Sequence, residues 1–298
     1  MKALTLLSLI ASLILLTGCG SQPEDQADAS VEKFVIAMEP DKDPDAMLAD
    51  RQAIEAYLSQ ATGRAVEAIV PMSSAVIYEG LKNGSIDVAY LSSTAAAQLM
   101  PSGAIEVLLA ELIDGQPHYP SYWIALKDAP YESVADLRGQ RIAYSSRTST
   151  SGFLIPTWDL YQQGLIDLES GPQGFFGEEN VFYGVGYVSA AERVLDGSAE
   201  AAAVSYYVLD EDKHLSPEQR AQLKVVDTQG PVPSHVIVVR SALSEADRDL
   251  LLQSFLRMNT EATELRDRIF GSPLAPASAE EHLSTTYGAL ELMRTMRF

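Results

Sequence analysis

The chemistry-bearing residues of this sequence gather in one loop. Ser145-Ser146-Arg147-Thr148-Ser149-Thr150-Ser151 places six hydroxyls and one guanidinium in seven residues, and Gly152 follows directly. Phe153, Leu154 and Ile155 then open an apolar helical pattern, with Pro156 in the first turns, where a missing N–H costs little. A helix start presents unpaired backbone N–H groups and the positive end of the peptide dipole. Small alcohols add short donors, and a glycine lets a ligand reach the backbone. Such a set holds an oxyanion without a lysine. An ordinary N-cap uses one hydroxyl; Thr148 to Ser151 supplies four in a row. The residue types alone leave both readings open, a capped helix and an anion site.

The elements around the loop must then place it at a ligand. Residues 34–38 read as a buried strand, 45–60 as a helix, 66–70 as a strand, 73–81 as a helix closed by Asn83-Gly84, 86–91 as a strand and 93–100 as a short helix. Alternation at these lengths predicts an α/β fold with a parallel, doubly wound sheet. Residues 105–113 and 122–126 read as strands split by the turn Asp114-Gly115-Gln116-Pro117. A second alternation covers strand 141–145, helix 151–163, strand 181–185, helix 189–195, the apolar stretch 201–207 and strand 223–226. Strand 236–240 and helices 245–258 and 279–293 close the chain. The pattern predicts two doubly wound lobes joined by hinge strands. Lobe 1 takes 33–121 and 236–298; lobe 2 takes 122–235 and carries the hydroxyl-rich helix start. In open α/β sheets a ligand binds beyond the carboxyl ends of the strands, which places the cleft at these loops.

The N-terminus reads differently. Met1-Lys2 precedes an apolar run from Ala3 to Leu16, shorter than the ~20 residues of a membrane span and suited to a secretory signal. Leu16-Thr17-Gly18-Cys19 resembles a bacterial lipobox, so residues 1–18 are expected to be a lipoprotein signal peptide, with Cys19 lipidated. Cys19 is the only cysteine, which excludes a disulfide within the chain. Residues 19–32 are polar and acidic and read as a flexible tether. The expected location is extracytoplasmic, anchored to a bacterial membrane by lipid.

With 21 basic against 41 acidic residues, the formal charge is −20, which excludes a nucleic-acid partner of the usual basic kind. Four isolated histidines give no metal spacing, and neither a Walker A run nor a G-x-S-x-G setting occurs. No cofactor, no metal and no enzyme activity are expected. Asp41, Asp43 and Asp45 alternate but lack the glycine and distal glutamate of a calcium loop, and read as helix capping. Tyr90, Tyr122 and Tyr187 stand near element ends, where a ring serves equally as cleft wall or core. His235 is either a ligand donor or a hinge histidine satisfied by backbone.

Asp136-Leu137-Arg138-Gly139-Gln140-Arg141-Ile142-Ala143, followed by Ser149-Thr150-Ser151-Gly152-Phe153-Leu154-Ile155-Pro156, resembles the phosphate/phosphite/phosphonate-binding proteins of ABC importers. The likeness extends over most of residues 33–260. Gly84 to Tyr90, the pair Tyr122-Trp123, Asp196-Gly197 with Ala199 to Ala202, and Pro231-Val232-Pro233 before 236–240 are similar to further family segments. The resemblance implies a type II periplasmic-binding fold and a monomer that hands a small oxyanion to ABC permease subunits. It implies that Ser149, Thr150 and Ser151 hold the phosphonate oxygens, with Gly152 present for close approach. Ser74 stands where the family often has a tyrosine, and Tyr187 where it often has a histidine. Near Ser234-His235, where an acid would meet a ligand amine, the segment has none, so 2-aminoethylphosphonate is not the expected ligand. Phosphate, phosphite, another phosphonate or an unrelated oxyanion remain open. A lipoprotein that presents an anion to a membrane receptor is the alternative function; an extracytoplasmic hydrolase is a third.

Overall fold

The computed structural model describes residues 30–38, 44–211 and 214–298. The expected signal peptide, Cys19 and nearly all of the tether lie outside the described residues, as do Asp41 and Asp43. The first unit runs β1 (Lys33–Ala37), α1 (Pro44–Thr62), β2 (Ala65–Ile69), α2 (Ser74–Asn83), β3 (Val88–Leu91), α3 (Ser93–Leu99) and β4 (Ile105–Glu111). The chain then crosses over and builds β5 (His118–Leu126), β6 (Ile142–Tyr144), α4 (Ile155–Gln162), α5 (Gly171–Phe176), β7 (Val181–Tyr183), α6 (Tyr187–Leu195), β8 (Ala201–Ser205), α7 (Tyr207–Asp210), α8 (Pro217–Arg220) and β9 (Leu223–Pro233). It returns through β10 (Val236–Arg240), α9 (Glu245–Glu261), α10 (Thr263–Phe270), β11 (Leu274–Pro276), α11 (Ala279–His282) and α12 (Ser284–Thr295).

Among the described residues these strands form two sheets, ordered β11-β4-β10-β3-β1-β2 and β7-β6-β8-β5-β9. The βαβ units are parallel, as short strands joined through helices must be. The strands nearest the crossovers break that rule: β10 runs antiparallel to β3 and β4, and β5 antiparallel to β8 and β9. Each sheet is covered on both faces. Phe34, Ile54, Leu58 and Phe255 pack on one side of the first sheet, and Ile77, Leu81, Leu91 and Ala96 on the other. In the second sheet Trp123, Tyr144 and Phe176 fill one face, while Ile124, Ala190, Val194 and Val204 fill the other. Adjacent residues Trp123 and Ile124 therefore point into different cores, as strand alternation requires.

Several boundaries differ from the sequence reading; β9, expected over 223–226, runs from Leu223 to Pro233. The strand expected over 122–126 begins at His118. Pro117 and Pro120 make the segment look like a loop. Pro120 is accommodated because the β5–β9 pairing shifts register between Tyr119 and Ser121, where a ladder N–H is not required. Tyr119 and Ser121 thus belong to the second sheet, not to lobe 1. The C-terminal helix, expected with lobe 1, spans both units: Leu283 packs in a core of the first sheet, while Leu292 and Met296 join Trp123 in the second.

Candidate oxyanion site

Strand β6 ends against the hydroxyl loop. Ser145 fixes the loop to the sheet, its N–H donating to the Gly152 carbonyl at 3.0 Å and its Oγ to the Ala203 carbonyl at 2.7 Å. Ser149 caps the helix: its Oγ accepts from the Gly152 N–H at 2.9 Å. The Leu154 N–H donates to the Ser149 carbonyl at 3.0 Å, so the first turn, Thr150–Leu154, is wider than an α-turn before α4 begins. Gly152 is required by this packing. A Cβ there would stand 2.4 Å from the Ser145 side chain and 2.9 Å from Ser149 Oγ. The close approach that glycine permits is to the protein's own Ser145.

Tyrosines wall this helix mouth. Ser149 Oγ donates to the Tyr187 hydroxyl at 3.0 Å, and Ser151 Oγ shares a 2.7 Å hydrogen bond with the same hydroxyl. The Tyr119 hydroxyl points to Ser151 Oγ at 3.4 Å. Ser121 Oγ donates to the Ser151 carbonyl at 2.5 Å. Tyr207 meets Tyr187 edge-on at 5.4 Å, and Tyr206 lies 5.6 Å from Tyr119. Burial raises the pKa of Tyr119 and of Tyr207, with Tyr187 adding to both, so these phenols stay protonated and able to donate. Beside them Ser205, the strand neighbour of Ser121, keeps a buried Oγ with no hydrogen-bond partner among the described residues.

The first lobe closes the mouth from the other side. Thr94, in the first turn of α3, places its hydroxyl 2.8 Å from that of Thr150, and both residues are buried. Ser93 Oγ donates to the Pro233 carbonyl at 2.9 Å. At the adjoining crossover Tyr90 donates to the buried carboxylate of Glu111 and stacks on His235 at 5.2 Å. His235 Nδ1 lies 3.7 Å from that carboxylate, too far for a hydrogen bond. Burial lowers the His235 pKa to about 4, which leaves the imidazole neutral near pH 7. Glu111, on β4, thus stands beside His235 because β4 pairs with β10, although the segment around Ser234-His235 itself contains no acid.

Ser149, Thr150, Ser151, Gly152 and Tyr187 thus come together. Other expected site residues do not. Thr148 is exposed, and its hydroxyl meets Ser146 Oγ at 3.3 Å. Tyr122 points to the opposite core of the second lobe and donates to Asp210 at 2.8 Å; burial raises its pKa to about 12. Ser74 starts α2 after β2, the edge strand farthest from the crossovers. Tyr90 and His235 gather around Glu111. Arg147 lies over the Tyr183 ring at 3.7 Å and near Phe298 at 5.8 Å, bracing lobe 2. Thr94, Tyr119, Tyr207 and Glu111 were not read from the sequence. The run Ser92-Ser93-Thr94 after β3 was the available signal for the first of them.

Residues 36–282 match the family model described as ABC transporter, phosphonate, periplasmic substrate-binding protein. The chain belongs to this family. Members of this phosphonate-binding family are extracytoplasmic transport components, and their membrane partners are permeases. The phosphate-import protein PhnD of Mycolicibacterium smegmatis is similar to this family member at 26% identity over 253 residues, 81% of this chain and 78% of that protein. The phosphonates-binding periplasmic protein of Escherichia coli is 26% identical over 223 residues, 72% of this chain and 64% of that one. In fold the chain is similar to PhnD1 from Prochlorococcus marinus in complex with methylphosphonate, with TM-score 0.71 and 16% identity over 89% of this chain and 99% of that one. No helix among the described residues is long and apolar enough to cross a membrane. Nor do any three His, Cys, Asp or Glu among them cluster to hold a metal ion.

Proposed function

We propose that this phosphonate-family binding protein is a lipoprotein, tethered through Cys19, that captures a small oxyanion between its lobes and does no chemistry on it. Ser149, Thr150 and Ser151 are its principal ligand residues, with Tyr187, Tyr119 and Thr94 completing the wall. The observation that carries this reading is the convergence of hydroxyls from both lobes on one helix start, with Thr94 meeting Thr150 at 2.8 Å. Each hydroxyl bonded to a neighbouring hydroxyl is a donor that an inserted oxyanion takes over. A ligand bound there joins the lobes, which is what a permease must detect. PhnD1 of Prochlorococcus marinus, similar in fold, binds methylphosphonate, and a ligand of that size suits a mouth lined by side chains already in contact.

The net charge of −20 does not forbid an anion. Surface carboxylates are screened beyond ~8 Å at physiological ionic strength. A hydrogen bond to a charged group contributes roughly 1.5–3 kcal/mol, and micromolar binding requires about 8 kcal/mol. Five or six local donors reach that figure after ordering costs. A thermal-shift screen of phosphate, phosphite, methylphosphonate and sulfonates tests the proposal. A true ligand at 100 times its Kd stabilises the fold by about 2.7 kcal/mol. Ser149→Ala with Thr150→Ala is expected to abolish that response; a double variant that responds like the parent places the ligand elsewhere.

A further inference from the structure

We propose that the floor of the cleft reads the ligand's substituent, with Ser205 and Gln229 selecting a small oxyanion that carries a neutral hydroxyl over one that carries an alkyl group. This rests on the oxyanion reading above. Ser205 ends β8, the strand between β6 and β5. Its place at the helix mouth is fixed from three sides. Towards β6, Ser145, where the hydroxyl loop begins, donates to the Ala203 carbonyl at 2.7 Å. Towards β5, Ser205 is paired with Ser121, whose Oγ lies 3.2 Å from the Val204 carbonyl and 2.5 Å from the Ser151 carbonyl. Ahead of it the chain turns into Tyr206 and Tyr207, which pack on Tyr119 and Tyr187, the two phenols in reach of Ser151. On its other side Ser121 is paired with Gln229 of β9. Paired residues share a face, so Ser205, Ser121 and Gln229 form one row across three strands, about 10 Å from end to end.

The row is buried, and its two ends are unpaired. Ser205 is fully buried and Gln229 is 4% exposed. Neither Ser205 Oγ nor either amide atom of Gln229 has a hydrogen-bond partner among the described residues. The middle residue, Ser121, is committed to the Ser151 carbonyl. Buried polar atoms without partners cost stability, and apolar side chains of the same shape would remove that cost. Together the two ends offer a hydroxyl that donates or accepts, two amide N–H donors and one carbonyl acceptor. A ligand hydroxyl, donor and acceptor on one atom, matches that set. An ammonium would need a carboxylate, and the row has none. An alkyl group would leave the amide unpaired in a dehydrated cleft, which is how a site built for a hydroxyl rejects the analogue that lacks it. The helix mouth holds the oxyanion, and the floor beside it chooses among oxyanions.

The test compares hydroxymethylphosphonate with ethylphosphonate, which differ only in a hydroxyl for a methyl. Calorimetric dissociation constants are taken for both, with methylphosphonate as the reference, at a pH where all three carry the same charge. The parent protein is expected to bind hydroxymethylphosphonate about tenfold more tightly than ethylphosphonate. Ser205→Ala and Gln229→Met, the latter keeping the length of the side chain, are each expected to remove most of that ratio. Equal affinities in the parent, or tighter binding of ethylphosphonate, overturn the polar floor while oxyanion binding stands, whether or not the variants fold. Binding of methylphosphonate alone does the same, since it leaves no room for a further heavy atom. An undiminished ratio in either folded variant overturns the role of the residue replaced. No response to any of the three anions overturns both this proposal and the oxyanion reading.

Discussion

Of the helices that begin after a parallel strand and open on adjacent hydroxyl residues, two end up in contrasting surroundings. Ser73 and Ser74 start α2 after β2; Ser149 and Thr150 start the helix after β6. Ser73 has the extended backbone of an N-cap but makes no side-chain cap bond. Its neighbours Met72 and Val76 are 97% and 51% exposed. Ser149 caps its helix, donates to Tyr187, and is followed by buried Thr150 and Ser151. The difference is place. Strand β2 is an outer edge, whereas β6 lies between β7 and β8, and β5, α6 and α7 bring tyrosines over its carboxyl end. Alcohol side chains at a helix start form a candidate site only where the fold supplies a second wall.

The largest effect expected from breaking this contrast comes at Gly152. In Gly152→Ala the added methyl meets Ser145 at 2.4 Å, and backbone and side chains must move apart. Overpacking of this kind costs about 1–3 kcal/mol. Because Ser145 and Ser149 are the groups displaced, the oxyanion response is expected to vanish along with the stability loss. Denaturation midpoints with and without methylphosphonate measure both. A variant that binds like the parent would separate the mouth from the ligand.

A smaller effect tests the phenol wall. Tyr187→Phe deletes the hydroxyl shared by Ser149 and Ser151, and its loss from a charged ligand is expected to weaken binding by about 1.5–3 kcal/mol. Tyr122→Phe deletes a bond to Asp210 only, and Kd is expected to stay within about twofold. Calorimetry on the pair decides whether the ligand lies at Tyr187; equal losses, or the reverse order, would move it toward Asp210.

The asymmetry between these two tyrosines also shows what sequence can carry. Alternating strands and helices were legible because their periods are local, and the run from Thr148 to Gly152 was legible because its hydroxyls are contiguous. Tyr119 was hidden behind Pro117 and Pro120, which read as loop until the register shift in β5 makes room for one of them. Tyr122, three residues on, looked equivalent but faces the other core. Glu111 reaches His235 only because β4 lies antiparallel to β10, a pairing between segments more than a hundred residues apart. Thr94 meets Thr150 across two lobes. Side-chain direction within a strand, and contacts made by sheet order, are properties of the assembled fold.

The smallest expected effect is the most discriminating for the opening contrast. Ser73→Ala with Ser74→Ala removes both hydroxyls from the start of α2. Since Ser73 makes no cap bond, the stability change is expected to stay within about 0.5 kcal/mol, and methylphosphonate affinity within about twofold. A large loss of affinity with stability intact would mean that α2 swings its start onto the anion when the lobes engage ligand. Both helix mouths would then act on one ligand, and the difference between an edge strand and an inner strand would cease to explain which of them binds.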